Sequence, residues 1–311
     1  MLEMRVLLRR GDRVTKALTG LTSEELKALR PKFAKHYAAA SAEFKTVADS
    51  RRQRRHGAGR VPLLGVDEHL LMMLVYVKTY PTQDLLALLF GGTQAWACKW
   101  VHRLAPVLEA TLGAEGKLPQ RPSKRVSSLE ELVERCPELA FLIDGTERPV
   151  RRPKDPAKQK TRYSGKKKRH TVKHTVVASK VNGAVLILGE AFDGSVHDKR
   201  MAETEPIAFP QGSVVYQDTG YEGYAPPGAA WVAQPRKKPR GKERSPEDCV
   251  YNREVSHVRI RVEHAIGGIK RAAIATDIFR NRKQGFEDTA MRLSAGLHNL
   301  RVSSRNYYAN A

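Results

Sequence analysis

The sequence predicts a mixed α/β domain preceded by an all-α region. Apolar residues recur at helical spacing up to about residue 137, and short β-branched runs separated by turn residues begin at 138. Helical patterns return at about residue 247. Strands followed by helices, with one helix between the third and fourth strands, are typical of a mixed α/β domain.

The charge of the chain narrows the classes of partner. The 311 residues include 55 Lys and Arg against 33 Asp and Glu, a formal net charge of +22. A surface this positive repels itself unless a polyanion binds it. Because the chain has neither an apolar run of about 18 residues nor a basic amphipathic membrane helix, we expect a nucleic acid as the partner and no membrane. The three widely spaced cysteines and the absence of a secretory leader indicate a cytoplasmic protein.

Residues 1–60 predict an N-terminal helical segment and a basic arm. Residues 22–46 have helical spacing, with Thr22 or Ser23 as the N-cap, and Pro31 is expected to divide them into two helices. Residues 50–60 are basic and contain glycine, so they fit a solvated linker and a phosphate-contacting arm equally well.

Residues 61–115 predict a helix-turn-helix DNA-binding domain. Its first helix, 66–80, is apolar almost all round, which predicts burial, and Asp67 is its expected N-cap. Residues 82–104 then read as helix, Gly-Gly turn and helix, with Thr82 and Thr93 as caps. An ordinary helical hairpin fits this pattern as well, but the positive charge favours DNA binding. The side chains expected to contact DNA are Gln94, Lys99 and Arg103.

Residues 116–137 predict a linker with one short helix, and 138–311 predict the catalytic domain. A buried strand opens this domain near 138–150. Residues 173–192 form two β-branched runs joined by Asn182-Gly183, which is the strongest short-range signal of a hairpin. Further strands are expected at 212–218 and 229–235, followed by helices at about 247–272 and 286–301.

Three acidic residues stand out by their context. Asp144 and Asp218 each end an apolar run, and Glu263 lies in a predicted helix. Carboxylates at the ends of neighbouring strands lie toward one edge of a sheet, where a packed helix can add a third, and such oxygen donors suit Mg²⁺ or Mn²⁺. Each residue also has a plainer interpretation, as a turn residue or as the surface partner of Arg259. The combination on this strand order favours the metal site.

Five blocks, in order along the chain, resemble the DDE transposases of the bacterial insertion-sequence "five" family and their Harbinger-type relatives. They are 141–150, 163–173, 194–200, 216–224 and the helix that carries Arg259, Glu263 and Lys270. The resemblance spans about residues 60–301 and implies an RNase H-like fold, with Asp144 on the first strand, Asp218 on the fourth and Glu263 on the following helix. Helical geometry separately places Arg259, Glu263 and Lys270 on one face, since offsets of four and eleven return to within about 40° and 20°.

The resemblance also implies a mechanism. Two Mg²⁺ or Mn²⁺ ions about 3.5–4 Å apart would straddle the scissile phosphate, with Asp144 bridging both and Asp218 and Glu263 each completing one coordination sphere. The same site would cut at the element end and then join the freed 3′-hydroxyl to target DNA. Arg259 and Lys270 would contact phosphates.

The expected context is a homo-oligomer, at least a dimer, on paired inverted-repeat ends in a prokaryotic nucleoid. Two other functions stay open: an inactive DNA-binding protein that keeps the fold, and an RNase H-like nuclease that cuts without joining.

Two further groups of residues are expected near the site. The basic run 158–170, which fits a solvated loop, is assigned instead to the DNA backbone through Lys166, Lys167, Lys168 and Arg169. Asp198 is expected to cap the helix after the third strand. Support of the metal site by His197 and Asp198 is the second interpretation.

Overall fold

A computed structural model describes residues 1–41, 44, 63–123, 125–239, 241 and 243–309. The expected basic arm at 50–60 lies outside these residues. The chain divides into two compact units, the first comprising 1–117 with 271–274 and the second 118–270 with 275–311.

The first unit is helical throughout its described residues. Its helices are α1 (Met4–Arg9), α2 (Gly11–Thr19), α3 (Ser23–Ser41), α4 (Val66–Thr79), α5 (Gln83–Phe90) and α6 (Gln94–Ala114). The prediction that α4 is buried is confirmed, because every residue from His69 to Val77 is buried. The α5–α6 pair, joined through Gly91 at φ +76°, is the predicted helix-turn-helix.

Side-chain caps begin three of these helices where the sequence predicts them. The hydroxyl of Thr22 accepts a hydrogen bond from the Glu25 N–H at 3.0 Å, and the Glu25 carboxylate accepts one from the Thr22 N–H at 2.7 Å, forming a capping box. The hydroxyls of Thr82 and Thr93 cap α5 and α6. Local capping chemistry therefore fixes the N-terminal ends of these three helices.

Two local expectations in this unit are wrong. Helix α3 runs through Pro31 without a break, because the fully buried Leu26, Leu29 and Phe33 hold both of its halves against the core. Gly65, not Asp67, occupies the N-cap of α4. The Asp67 carboxylate instead accepts a hydrogen bond from Arg30 Nε at 3.0 Å.

The second unit contains a seven-stranded mixed sheet. The strands are β1 (Ala140–Pro149), β2 (Tyr163–Ser164), β3 (Arg169–Ser179), β4 (Val185–Leu188), β5 (Phe192–Asp193), β6 (Ser213–Tyr216) and β7 (Ala229–Ala233). The central order is β3–β1–β6–β7; β1 pairs antiparallel with β3 and parallel with β6, while β2, β4 and β5 pair with β3. The Asn182-Gly183 hairpin between β3 and β4 is confirmed, with Gly183 at φ +71°. This topology is RNase H-like, as expected.

The described residues of this unit also form the helices α7 (Val126–Arg135), α8 (Pro156–Arg162), α9 (Asp198–Thr204), α10 (Pro246–Ile269) and α11 (Phe286–Ala309). All of them except α8, which buries no residue, cover the faces of the sheet. Strand alternation sends Phe141 and Ile143 into a core shared with residues of α7 and α9. Leu142 enters a second core with residues of α10 and α11. Asp144 therefore lies on the α10 side of β1.

The segment 116–137 differs from the expected linker. Its residues from Leu118 onward belong to the second unit. Leu132 in α7 and Cys136 just after it are almost fully buried in the first of the two cores. Hydrophobic burial therefore makes this segment an integral part of the α/β unit.

Candidate active site

Strand register brings Asp144 and Asp218 side by side. β1 and β6 are parallel, with Leu142 opposite Tyr216, and each aspartate follows its strand partner by two residues. Asp144 does not end its strand as expected, because β1 continues to Pro149 along β3 after its pairing with β6 has stopped. The gap opened beside β6 is where the two carboxylates meet.

A single arginine bridges this carboxylate pair. Arg259 on α10 places Nη1 3.3 Å from Asp218 Oδ1 and Nη2 3.9 Å from Asp144 Oδ2, and its side chain is only 12% exposed. Backbone groups hold both carboxylates as well: the Gly145 N–H donates to Asp144 Oδ1 and the Thr219 N–H to Asp218 Oδ1, each at 2.8 Å. The two aspartates are thus held in place by backbone N–H groups, and one cation balances only half of their combined charge.

Burial perturbs the protonation of Asp144. Desolvation raises the pKa of this carboxyl, and the nearby charges of Asp218 and Asp198 raise it further, whereas the Gly145 hydrogen bond and Arg259 oppose the shift. The pKa of the buried Tyr221 is also raised, by burial first and then by the charges of Asp198, Asp144 and others. Asp198 therefore belongs to the same acidic neighbourhood.

Asp198 is not the helix cap that was expected. His197, with an exposed ring, stands at the N-cap of α9, and Asp198 is the first helical residue. Its carboxylate occupies space left by two glycines: a Cβ on Gly145 or Gly220 would lie 3.1 or 3.3 Å from an Asp198 oxygen. Support of the metal site by Asp198, the second interpretation of the sequence, stays a prediction.

A charged network behind the site was not anticipated. Lys173 Nζ lies 3.2 Å from Asp198 Oδ1 and 3.7 Å from Glu147 Oε1, and it donates to the Val196 carbonyl at 2.8 Å. Lys173 and Glu147 are direct cross-strand partners on β3 and β1, with side chains 11% and 9% exposed. The sequence shows only that two neighbouring strands carry residues of opposite charge. The strand register is needed to know that these residues lie opposite each other.

Glu263 does not join the two aspartates in this structure. Its residue is exposed on α10, although Arg259, one turn earlier, reaches both carboxylates. Within the described ranges, no three His, Cys, Asp or Glu side chains converge closely enough to hold a metal ion. Of the predicted cluster of three carboxylates, the structure therefore brings together only the two aspartates, Asp144 and Asp218.

The aspartate pair nevertheless fits a divalent cation. Carboxylate oxygens are the ligands that Mg²⁺ and Mn²⁺ prefer. All three polar contacts of the Asp218 carboxylate, two from Thr219 and one from Arg259, use Oδ1. No hydrogen bond or ion pair to its Oδ2 occurs among the residues that the structure describes. Asp144 and Asp218 can thus supply oxygen ligands, with Arg259 as the counter-charge that a cation would replace.

Cationic side chains lie beside the carboxylates. Lys270, which follows α10, has its pKa lowered by burial first and then by the charge of Lys167, while Asp144 and Glu147 oppose the shift. Lys166, Lys167 and Lys168 in the turn between β2 and β3, and Arg169 at the start of β3, are all exposed. Lys167 and Lys270 are therefore close enough to each other to repel, and an anion between them would relieve that repulsion.

The predicted DNA-contacting residues of the helix-turn-helix differ in exposure. Gln94 and Lys99 are exposed on α6, and Gln94 donates a hydrogen bond to Gln83 on α5. Arg103 is partly buried; its guanidinium donates to the Phe44 carbonyl and lies 5.5 Å from the centroid of the Trp100 ring. Arg103 is thus tied to an aromatic cluster that also includes His69, whose pKa burial lowers to about 4.

An RNase H-like sheet that presents two adjacent aspartates is the architecture of a metal-dependent nuclease. Comparison with known proteins supports this class. Residues 143–299 match the model of the DDE superfamily endonuclease family, and residues 62–114 match that of the helix-turn-helix of DDE superfamily endonucleases.

Two curated relatives span most of the chain. A probable transposase for insertion sequence element IS702 of Microchaete diplosiphon is 30% identical over 260 residues, covering 82% of this chain and 87% of the relative. A candidate transposase for insertion sequence element IS112 of Streptomyces albus G is 26% identical over 257 residues, covering 80% and 88%. No solved structure matches the chain significantly.

The chain belongs to the DDE superfamily endonucleases, in the group of insertion-sequence transposases. Endonucleases of this superfamily generally use divalent metal ions. None of the helices in the described part of the chain is both long and apolar enough to cross a membrane.

Proposed function

We propose that this transposase binds the terminal inverted repeats of an insertion sequence, cuts the DNA at the element end and joins the freed 3′-hydroxyl to target DNA. Asp144, Asp218 and Glu263 are the proposed catalytic residues. The observation that carries the proposal is the parallel-strand register that sets Asp144 beside Asp218, with Arg259 bridging both.

Asp144 and Asp218 are proposed to hold Mg²⁺ or Mn²⁺, two ions in the complete site, with Glu263 as the third ligand. Bound ions would activate the attacking oxygen and stabilise the leaving oxygen of the phosphate. Glu263 lies one helical turn after Arg259, so a modest change in the position of α10 or of its side chains could bring it toward the pair. Arg259 and Lys270 would then contact phosphates, and Asp198 and His197 would support the site.

Recognition of the element end is assigned to the helix-turn-helix. Gln94 and Lys99 are exposed at the start of α6, the helix proposed to enter the major groove. Arg103 is proposed to contact DNA after its release from Phe44, or to orient the aromatic cluster beneath the binding helix. The basic residues 166–169 would contact the backbone next to the cut phosphate.

The active species is proposed to be a homo-oligomer, at least a dimer, that pairs two double-stranded DNA ends in the nucleoid of a prokaryotic cell. This follows from the two-ended substrate of insertion-sequence transposition. The relatives' names identify them as transposases of such elements.

A strand-transfer assay tests the proposal. The full chain is incubated with a duplex bearing an element end, a target plasmid and Mg²⁺, and both cut and joined products are measured. We expect joined products from the wild type, none from Asp144→Asn, and wild-type levels from the matched control Asp277→Asn, which changes an exposed acid in the same unit. Cutting without joining would identify a nuclease, and equal activity of wild type and Asp144→Asn would refute the assigned site.

A further inference from the structure

A basic groove lies at the end of β1, away from the carboxylate pair. Its cavity measures about 850 Å³ and is lined mainly by two segments of the second unit, one following β1 and one leading into α11, with Val172 of β3 between them in sequence. Eight of its fifteen lining residues are basic: Arg151, Arg152, Lys154, Lys158, Arg162, Arg280, Arg282 and Lys283. Glu287 is the single acidic residue of the lining. The groove therefore concentrates positive charge far beyond the average of the chain.

The first wall of the groove is held in shape by its own hydrogen bonds. Arg152 Nε donates to Gln159 Oε1 at 2.9 Å, and Gln159 Nε2 donates to the Pro153 carbonyl at 2.9 Å. The Asp155 carboxylate caps the Lys158 N–H at 2.7 Å, which orders the start of α8. These contacts fix the backbone that presents Arg151 and Lys154.

The second wall is fastened to the sheet. The Phe279 N–H donates to the Pro149 carbonyl at 3.0 Å, and Phe279 forms a β-bridge with Val150. The buried Arg148 guanidinium lies 4.0 Å from the centroid of the Phe279 ring. The residues that follow, Arg282 and Lys283, thus extend from a fixed anchor and not from an independent loop.

Most of the groove's charge is not neutralised within the chain. Arg151, Lys154, Lys158, Arg282 and Lys283 are exposed, and no ion pair to any of them is found in the portion of the chain that the structure describes. Arg162 is different, because it pairs with Asp193 at 3.1 Å. Cations gathered from two ordered walls repel one another, so a bound polyanion would stabilise the arrangement.

We propose that this basic groove binds the phosphate backbone of duplex DNA without reading its sequence. The inference rests on the proposed DNA-cutting function and assigns to it a further contact surface, made of residues other than the carboxylates, residues 166–169 and the helix-turn-helix. Val150 follows Asp144 by six residues of extended chain, a separation of about 20 Å. Duplex DNA rises about 3.4 Å along its axis per phosphate of one strand, so with the DNA axis along β1 this separation corresponds to about six base pairs from the phosphate being cut.

The test compares two triple variants of the full chain. One removes three groove charges, Arg151→Gln, Arg282→Gln and Lys283→Gln. The control removes three exposed charges elsewhere in the same unit, Arg125→Gln, Arg200→Gln and Arg305→Gln. Binding of a short duplex that lacks any element end is followed by fluorescence anisotropy at several salt concentrations, and circular dichroism confirms that each protein is folded.

Each lost phosphate contact lowers the slope of log affinity against log salt by about one. We expect the groove variant to lose about three from this slope and at least about tenfold in affinity near 0.1 M salt. The control should keep the wild-type slope. The single variant Lys283→Gln should lower the slope of log affinity against log salt by about one. It replaces the triple variant in the test if the triple variant does not fold.

Equal slopes of log affinity against log salt for the two triple variants would overturn the proposal that the groove binds DNA. They would not contradict DNA binding by other parts of the chain. A wild-type protein that binds no duplex at any salt concentration would overturn the proposed function, and the groove with it. The two failures are therefore distinguishable.

Discussion

The carboxylates borne by strands and the carboxylate borne by a helix behave differently in this protein. Asp144 and Asp218 are placed by parallel register, held by backbone N–H groups and bridged by Arg259. Glu263 lies on the helix that carries Arg259, yet it is exposed and forms no metal-binding cluster with them among the described residues.

The difference shows what each kind of element can fix in advance. Strand pairing aligns residues through a ladder of backbone hydrogen bonds, so a shift of one residue would reverse every side chain. A packed helix can rotate or slide slightly at smaller cost, since side chains alone determine its position. The two aspartates are thus already in place, whereas Glu263 has to move toward them before it can bind the same metal ion.

The largest expected effect is the loss of DNA cleavage when one of the two aspartates, Asp144, is replaced. Asp144→Asn should reduce DNA cleavage about 10³-fold or more, because metal ions contribute several kcal/mol to stabilising the transition state. The measurement is single-turnover cleavage of an element-end duplex with saturating Mg²⁺. Asp277→Asn is the control; a comparable loss in that variant would mean that Asp144 acts only through surface charge.

The variant Glu263→Gln tests whether Glu263 acts as a metal ligand or stabilises the fold. Cleavage should fall at least about 10²-fold, since one metal ligand is lost, while DNA affinity stays close to that of the wild type. The unfolding free energy should change by no more than about 0.5 kcal/mol, because the residue is exposed. A large loss of stability or of DNA binding would make Glu263 a structural residue and remove the contrast with the strand pair.

Arg259→Gln tests whether the arginine substitutes for a cation. Two adjacent carboxylates lose their counter-charge, so the unfolding free energy should fall by about 1–2 kcal/mol, less than for a fully buried pair because the Asp218 side chain is 41% exposed. Added Mg²⁺ should then raise the melting temperature of the variant more than that of the wild type. An equal response of both proteins to Mg²⁺ would show that Arg259 and the metal do not compete.

The smallest expected effect is on the pH dependence of stability. The pKa of Asp144 is raised from 3.8, chiefly by burial, so the folded state binds this proton more tightly than the unfolded state. The contribution of Asp144 to stability is therefore complete below pH 3.8 and is lost as the pH rises through its folded pKa. Denaturant unfolding of wild type and Asp144→Asn across this window should show the wild type losing stability relative to the variant. An opposite trend would place Asp144 in a solvated or strongly charge-stabilised environment.

Periodicity and turn chemistry in the sequence predicted much of the fold. The Asn182-Gly183 hairpin and the caps at Thr82 and Thr93 depend on a few neighbouring residues, and all three are confirmed. The predictions for Pro31 and Asp67 are wrong because tertiary contacts determine the roles of both residues. Packing against the core keeps α3 continuous through the proline, and Asp67 accepts a hydrogen bond from Arg30 instead of capping a helix.

The candidate site was only partly accessible from sequence for a related reason. Asp144 and Asp218 follow apolar runs, a local signal that survives into the structure. The Lys173 network requires the register of β1 and β3, which no local pattern specifies. Helical arithmetic placed Glu263 and Arg259 on one face, but it could not determine which of them reaches the carboxylates.

A crystal structure of the full chain with element-end DNA and Mn²⁺ tests the central claim most directly. The anomalous signal should place manganese between Asp144 and Asp218, with an oxygen of Glu263 in the coordination sphere and Arg259 displaced from the pair. Manganese bound away from both aspartates, or bound to them with Glu263 still exposed and distant in a cleavage-competent complex, would contradict the three-carboxylate account.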